Sequence, residues 1–469
     1  MSFVQGSFLV FFVLVFGLYW ALGRRRWQNA LLAACSAVFY GWVHPWFLIL
    51  LYAAGLMDFF SAQAMERWPH RRRWALLVSM CGNLGMLGFF KYFDFFLENV
   101  AAVLGHFGLD PGLHALGIFL PVGISFYTFQ TMSYTIDVYR GQVRARRDLL
   151  DYLVFVSFFP QLVAGPVQRA GSLLAQVERD RSLTWGSFNS GLTLALWGGF
   201  KKIVLADTLA PYVDKVFQHP APSSAMLWAA AFAFSVQILA DFSGYTDIAR
   251  GTSRMLGFEL VENFRHPYLA VNPSDFWKRW HISFSSWIRD YLYIPLGGSR
   301  GTWLHTVGAT WGAMLLAGIW HGASWNYVLW GAYHATLLVG YRLITPHLPA
   351  TWRRHPLGHA LAVALMYAFT CGGWLLFRER DAARIFTLAL GNPLAGNADQ
   401  WLAVTVLVAV TLLCASPLVL ALVAERALAP RLAGRPWLLP VQTTAWALCA
   451  AGMLVFVRVS THDFIYFQF

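Results

Sequence analysis

Apolar runs about as long as a bilayer is thick recur from one end of this chain to the other. A helix needs about 20 residues to cross roughly 30 Å of hydrocarbon. After a first run in "FVQGSFLVFFVLVFGLYWALGRRR", spans are expected near 29–44, 46–64, 75–97, 116–136, 186–206, 225–247, 303–319, 323–342, 357–377, 400–424 and 440–458. Only 12% of the 469 residues are charged and 58% are hydrophobic, whereas soluble domains carry about 25% charged residues. The expected fold class is an all-α polytopic membrane protein, organised as a single domain over 1–469. The arginines of the first run follow its apolar part, whereas a cleavable signal peptide carries them in front. That run is therefore expected to be retained, with its N-terminal side outside and Arg24–Arg26 inside.

The excess of 35 Lys+Arg over 23 Asp+Glu sits between the apolar runs, in "GRRRW" (23–27), "RWPHRRRW" (67–74), "YRGQVRARRD" (139–148) and "TWRRHP" (351–356). This is the signature of cytoplasmic loops facing anionic lipid headgroups. Basic residues spread over several loops make no nucleic-acid interface. Cys35, Cys81, Cys371, Cys414 and Cys449 lie in or beside apolar segments and read as small buried hydrophobes, neither a disulfide frame nor a zinc site.

Two segments depart from simple spans. "DYLVFVSFFPQLVAGPVQRA" (151–170) is apolar but broken by Pro160 and Pro166, which suits a re-entrant element sheltered by protein. "VNPSDFWKRWHISFSSWIRDYLYIPLGGSRG" (271–301) opens on Asn272 and Pro273, a plausible helix start. Trp277, Trp280, Phe284, Trp287 and Tyr291 then share one helical face. One amphipathic helix at the membrane interface is expected, with His281 on its polar side near Lys278 and Ser285.

Ionisable residues inside apolar segments are costly and mark candidate functional sites. His321, in "AGIWHGASWNY" (317–327), is the foremost. An imidazole takes up and returns a proton near neutral pH; Gly318 and Gly322 would let a substrate approach, and Ser324 could orient the ring. A histidine there can equally be a packing residue. His281 gains interest from Lys278, Arg279 and Arg300, which could hold an anionic phosphate. His334 is expected to pack. Asp241 and Asp247, six apart, do not share a face and are expected in structural ion pairs, with Arg250 or Arg254 as partners. "GGSRG" (297–301) matches a hydrolase nucleophile elbow but lacks its strand–turn–helix setting. No metal-ligand cluster or phosphate loop is present in the sequence. Group transfer to a membrane-embedded acceptor and transport both fit these residues.

"FYTFQTMSYTIDVYRG" (126–141), "FPQLVAGPVQR" (159–169), "DFSGYTDIARG" (241–251), "NFRHPYLAVNPSDFWKRWHISFSSWIRDYLYIPLGG" (263–298), "GIWHGASWNYVLWGAYH" (318–334) and "FIYFQF" (464–469) together resemble the membrane-bound O-acyltransferase superfamily. The resemblance is strongest to the bacterial branch that serves alginate O-acetylation and teichoic-acid D-alanine transfer. It covers a motif core of about 120–334 and the C-terminus. It implies a ring of about 11–12 tilted transmembrane helices, with re-entrant and interfacial helices around a central tunnel. The family's histidine of the W-H-G stretch falls on His321, and its second polar position falls on His281. Lys278, Arg279 and Arg300 are expected to serve the donor, and Ser324, Asp241, Asp247 and His334 to line the tunnel or hold it together. No metal and no tightly bound cofactor are implied; acetyl-CoA would be the acyl-donor substrate. The implied partners are membrane lipid, a periplasmic acetyl-transfer protein and an exported polysaccharide, in a bacterial inner membrane. The rival expectations are a lipid or protein acyltransferase of the same superfamily, and a transporter or scaffold of an exopolysaccharide complex.

Overall fold

A computed structural model describes residues 1–109, 112, 114–163, 165–347, 355–428 and 438–457. The "FIYFQF" terminus and the basic residues 351–354 lie outside them. Every regular element among the described residues is helical. Among the described residues, five helical stretches are long and apolar enough to cross a membrane: Phe47–Arg67, Pro69–His106, Ser224–Met255, Pro356–Arg378 and Ala398–Ala427. The chain is an all-α, multi-pass membrane protein.

In chain order the helices are α1 (Gly6–Ala21), α2 (Arg25–Gly41), α3 (Phe47–Arg67), α4 (Arg72–Leu87), α5 (Phe93–His106), α6 (Ile124–Tyr139), α7 (Leu149–Ser157), α8 (Phe159–Leu162), α9 (Ala170–Val177), α10 (Trp185–Phe200), α11 (Asp207–Gln218), α12 (Ser224–Met255), α13 (Pro273–Trp277), α14 (Ile282–Ile288), α15 (Trp303–His321) and α16 (Trp325–Ile344). Pro356–Arg378, Ala382–Ala389, Ala398–Val423 and Leu438–Phe456 follow. Most bounds fall within a few residues of the expected spans. The span expected at 116–136 is an exception, because its helix begins only at Ile124. Gly123, before it, is left-handed (φ 77°), and a Cβ there would lie 2.7 Å from the Leu162 carbonyl oxygen. The chain reverses at a residue only glycine can supply, so the helix cannot start earlier.

The residues cluster into two compact units, 1–192 with 249–262, and 193–248 with 263–469. In the first, the broken segment after Tyr139 is buried. The Asp148 carboxylate caps α7 by accepting the Leu150 and Asp151 N–H groups (2.9 and 3.2 Å). The chain then kinks at Phe158 (ψ 106°), and Pro160 opens the short α8. Phe155, Phe158 and Phe159 are fully enclosed, as non-continuous backbone at membrane depth requires. The five cysteines are free thiols; Cys371 and Cys414 are buried, but Cys81 is exposed on α4, contrary to the expectation of burial.

The second unit holds a chain of buried charges. A π-helical turn, Lys201–Ala206, follows α10 and aims two successive lysines at α11 and α12. Lys201 pairs with Asp247 (2.6 Å) and donates to Ser243 (2.8 Å); Lys202 bridges Asp207 (2.9 Å) and Asp241 (2.8 Å). Ion pairing of Asp241 and Asp247 was expected, but through Arg250 or Arg254. Arg254 instead makes a two-pronged contact with Glu259 (2.8 and 2.9 Å). Two carboxylates six residues apart leave α12 in different directions, and the wide turn supplies a separate ammonium to each.

Candidate active site

The segment expected as one interfacial helix is broken in two. Asn272 caps α13, its side-chain oxygen accepting the Asp275 N–H (2.8 Å), and Pro273 occupies the first turn. The helix stops at Trp277, and α14 restarts at Ile282 from a left-handed His281 (φ 43°, ψ 55°). The restart leaves amide groups without helical partners, and local acceptors take them. Asn263 accepts Ile282 N–H on its carbonyl (2.9 Å) and Ser283 N–H on its side-chain oxygen (3.1 Å); His281 Nδ1 accepts Phe284 N–H (3.3 Å). A non-glycine residue is held left-handed only when its surroundings over-determine it. The aromatic face is not presented to lipid: Trp280, Phe284, Trp287 and Tyr291 are all buried inside the protein.

His281 is likewise buried, not on a polar face. Phe242 and Phe284 pack on its ring at 4.7 and 5.0 Å between centroids. Burial pushes the imidazole down to about 3, so it is neutral at physiological pH. Because Nδ1 accepts a backbone N–H, the proton of the neutral ring resides on Nε2. His281 is built as a hydrogen-bond donor.

His321 is the last residue of α15 and is buried. Phe284, Trp320, Trp330 and Phe377 surround its ring at 5.4, 5.0, 4.9 and 5.2 Å. Phe284 and Trp320 also touch the His281 ring, at 5.0 and 6.3 Å, so the two histidines share their walls. The end of α15 suits a base: the helix's negative terminus favours the positive charge an imidazole acquires on accepting a proton. His334 lies beyond Trp330 (4.7 Å), stacked on Phe276 (6.1 Å, 4° between planes) and edge-on to Trp277 (5.1 Å); it packs, as expected. Ser324 begins α16 without a side-chain capping bond.

Gly318 and Gly322 do not open space for a substrate. A Cβ on Gly318 would collide with the Tyr327 carbonyl oxygen, one on Gly322 with the Tyr327 ring, and one on Gly331 would sit 2.5 Å from the Met314 carbonyl oxygen. These glycines let α15 and α16 cross backbone to backbone, which fixes where α15 ends. Gly318→Ala is expected to force the helices apart and to cost about 1–3 kcal/mol by overpacking. A lowered thermal midpoint in detergent would register it; an unchanged midpoint would show that the helices give way freely.

A cavity of about 640 Å³ opens between α15, α16 and the 274–299 segment; neither histidine lines it, but Phe284, which packs on both, does. Its deep end is formed by Trp277, Phe284, Met314 and Ala317, the last of these one helical turn before His321. Lys278, Arg289 and Arg342 line it as well and are exposed, so the cations form the rim. Arg342 reaches Ser299 (3.4 Å), which also meets the Tyr293 hydroxyl (2.8 Å). Of the three cations expected to serve a donor, Lys278 reaches this cavity. Arg279 lies in an ion pair with Asp275 (2.8 Å), and Arg300 is exposed on the following loop, outside the lining. Arg289 and Arg342 were not singled out from the sequence. The signal for Arg342 was available: it closes an apolar run, where cations mark the headgroup level. An apolar cavity with a cationic rim, walled at one end by the Phe284 ring that packs on both histidines, suits a thioester with an anionic carrier.

The membrane-bound O-acyltransferase family model matches residues 140–377. The protein of Azotobacter vinelandii named "Probable alginate O-acetylase" is 41% identical over 387 residues, covering 81% of this chain and 76% of that one. The peptidoglycan O-acetyltransferase of Helicobacter pylori is 32% identical, with coverages of 81% and 76%. The teichoic acid D-alanyltransferase of Bacillus subtilis is 27% identical, with coverages of 60% and 74%.

Proposed function

The chain belongs to the membrane-bound O-acyltransferase family and is an acyltransferase; we propose that it takes an acetyl group from acetyl-CoA on the cytoplasmic side for O-acetylation of an exported polysaccharide such as alginate. The observation that carries this reading is the cavity, cationic at its rim and closed at depth by Phe284, whose ring packs on both His281 and His321. The phosphates of the donor meet Lys278, Arg289 and Arg342, and its thioester lies at the deep end.

His321 takes the proton of the attacking hydroxyl as the oxygen bonds to the thioester carbonyl carbon. The oxyanion that forms is stabilised by the Nε2–H of His281, a neutral donor that needs no reorganisation. The C–S bond then breaks, and His321 returns the proton to the departing thiolate. Atoms and charge balance with no further reactant. The membrane is the bacterial inner membrane. A periplasmic partner completes transfer to the glycan. The names of the alginate and peptidoglycan relatives support a glycan acceptor.

The test uses purified protein with acetyl-CoA labelled in the acetyl group. Release of free CoA that depends on an added glycan or hydroxyl acceptor is expected; a transporter or scaffold would release none. Lys278→Ala and Arg342→Ala are each expected to raise the KM for acetyl-CoA about tenfold with little change in kcat, as loss of a charge-assisted hydrogen bond to phosphate implies. The KM should also climb with ionic strength. Unchanged KM in both variants would place the donor elsewhere.

A further inference from the structure

We propose that the Phe284 ring sets the acyl length, admitting acetyl and excluding longer chains. The inference rests on the reading that the cavity holds the thioester donor. Of the four rings packed on His321, Phe284 is the one that also lines the cavity; Trp320, Trp330 and Phe377 do not. A carbonyl carbon delivered from the cavity to His321 therefore lies against Phe284. Any methylenes beyond it fall in the volume the ring fills.

That ring cannot step aside. Its backbone N–H is held by His281 Nδ1 (3.3 Å), and Trp320 lies tilted against it at 4.4 Å between centroids. The residue is 1% exposed, and close-packed interiors do not yield volume continuously. Trimming the ring joins its volume to the existing cavity rather than creating a sealed void. The freed space is walled by aromatic rings and suits an alkyl chain. Specificity of this kind is set by fit at the reacting end, and a few methylenes in an apolar pocket are what it can discriminate.

The experiment compares acetyl-, butyryl- and hexanoyl-CoA as donors for the wild type, Phe284→Ala and Phe284→Leu, together with binding of the unreactive thioethers S-ethyl- and S-butyl-CoA. Each newly buried methylene is worth about fourfold, so Phe284→Ala should raise the butyryl-to-acetyl ratio of kcat/KM by roughly 15-fold. Phe284→Leu, which keeps more bulk, should raise it by about fourfold, the worth of one methylene. The wild type should bind S-butyl-CoA more weakly than S-ethyl-CoA, and Phe284→Ala should reverse that order. Unchanged ratios in folded variants overturn the proposal. Equal binding of the two thioethers by the wild type overturns it even if both variants fail to fold. Lys278→Ala separates the premise from the inference. If it leaves thioether binding intact, the donor cavity is misassigned and both fall; if it weakens binding while Phe284 variants keep the wild-type length preference, only the role of Phe284 falls.

Discussion

Replacing His321 with alanine is expected to lower acyl transfer by about 10²–10⁴-fold, the usual worth of a general base. Expression and thermal midpoint should fall far less, because close approach of glycine backbone, more than the imidazole, sets how α15 meets α16. The crossing of those helices is made by Gly318, Gly331 and the Tyr327 carbonyl. Donor binding, read from thioether affinity, should persist, since the cationic rim is untouched. The result therefore separates chemistry from assembly. A variant that retains full turnover would remove His321 from the reaction and leave it the packing role that its four aromatic neighbours would equally explain.

The second large effect lies in the buried ion network. Lys202→Met is expected to destabilise the protein by about 3–5 kcal/mol, the cost of stranding buried carboxylates. The Lys202 side chain is 2% exposed, and its partners Asp241 and Asp207 are 3% and 9% exposed. Removing the ammonium leaves two carboxylates 2.8 and 2.9 Å from where it stood, in surroundings that cannot hydrate them. Adding Asp207→Asn and Asp241→Asn should recover much of the loss, because neutral amides need no counter-charge. Arg289→Ala offers the contrast: its pair with Asp290 is largely solvent-exposed on the arginine side (62%), and such pairs contribute less than about 1 kcal/mol. Thermal unfolding in detergent measures all three. Equal stability of Lys202→Met and the wild type would show that the network carries no load, with the carboxylates protonated instead.

Much of the site is legible in the sequence. His321 stood out because an imidazole in an apolar run is expensive, and the sheltered break at Phe158–Pro160 followed from two prolines in an apolar segment. What sequence reasoning missed has a common cause. Periodicity over 271–301 argued for a single helix, since five aromatics at three- and four-residue spacing repeat equally well across a break. Nothing local signals that His281 turns left-handed, because the groups that hold it there come from Asn263, eighteen residues earlier, and from Phe242. In the sequence Gly318 and Gly322 suggest room for a substrate; the room is taken by Tyr327, which only the crossing of α15 and α16 brings there. Arg279, chosen with Lys278 as adjacent cations, is held by Asp275 one helical turn back.

The amino-acid order alone determined that this chain is a multi-pass helical membrane protein, roughly where most of its helices run and that His321 is sheltered. Those properties follow from hydrophobicity, which is summed along the chain and is indifferent to what lies beside it. Tertiary structure decided which cations rim the cavity, which lysines answer Asp241 and Asp247, and that His281 Nδ1 accepts a backbone N–H while Phe284 both lines the cavity and packs on His321. Those depend on distances between residues far apart in the chain, and hydrogen bonds, ion pairs and ring contacts act only over a few ångströms.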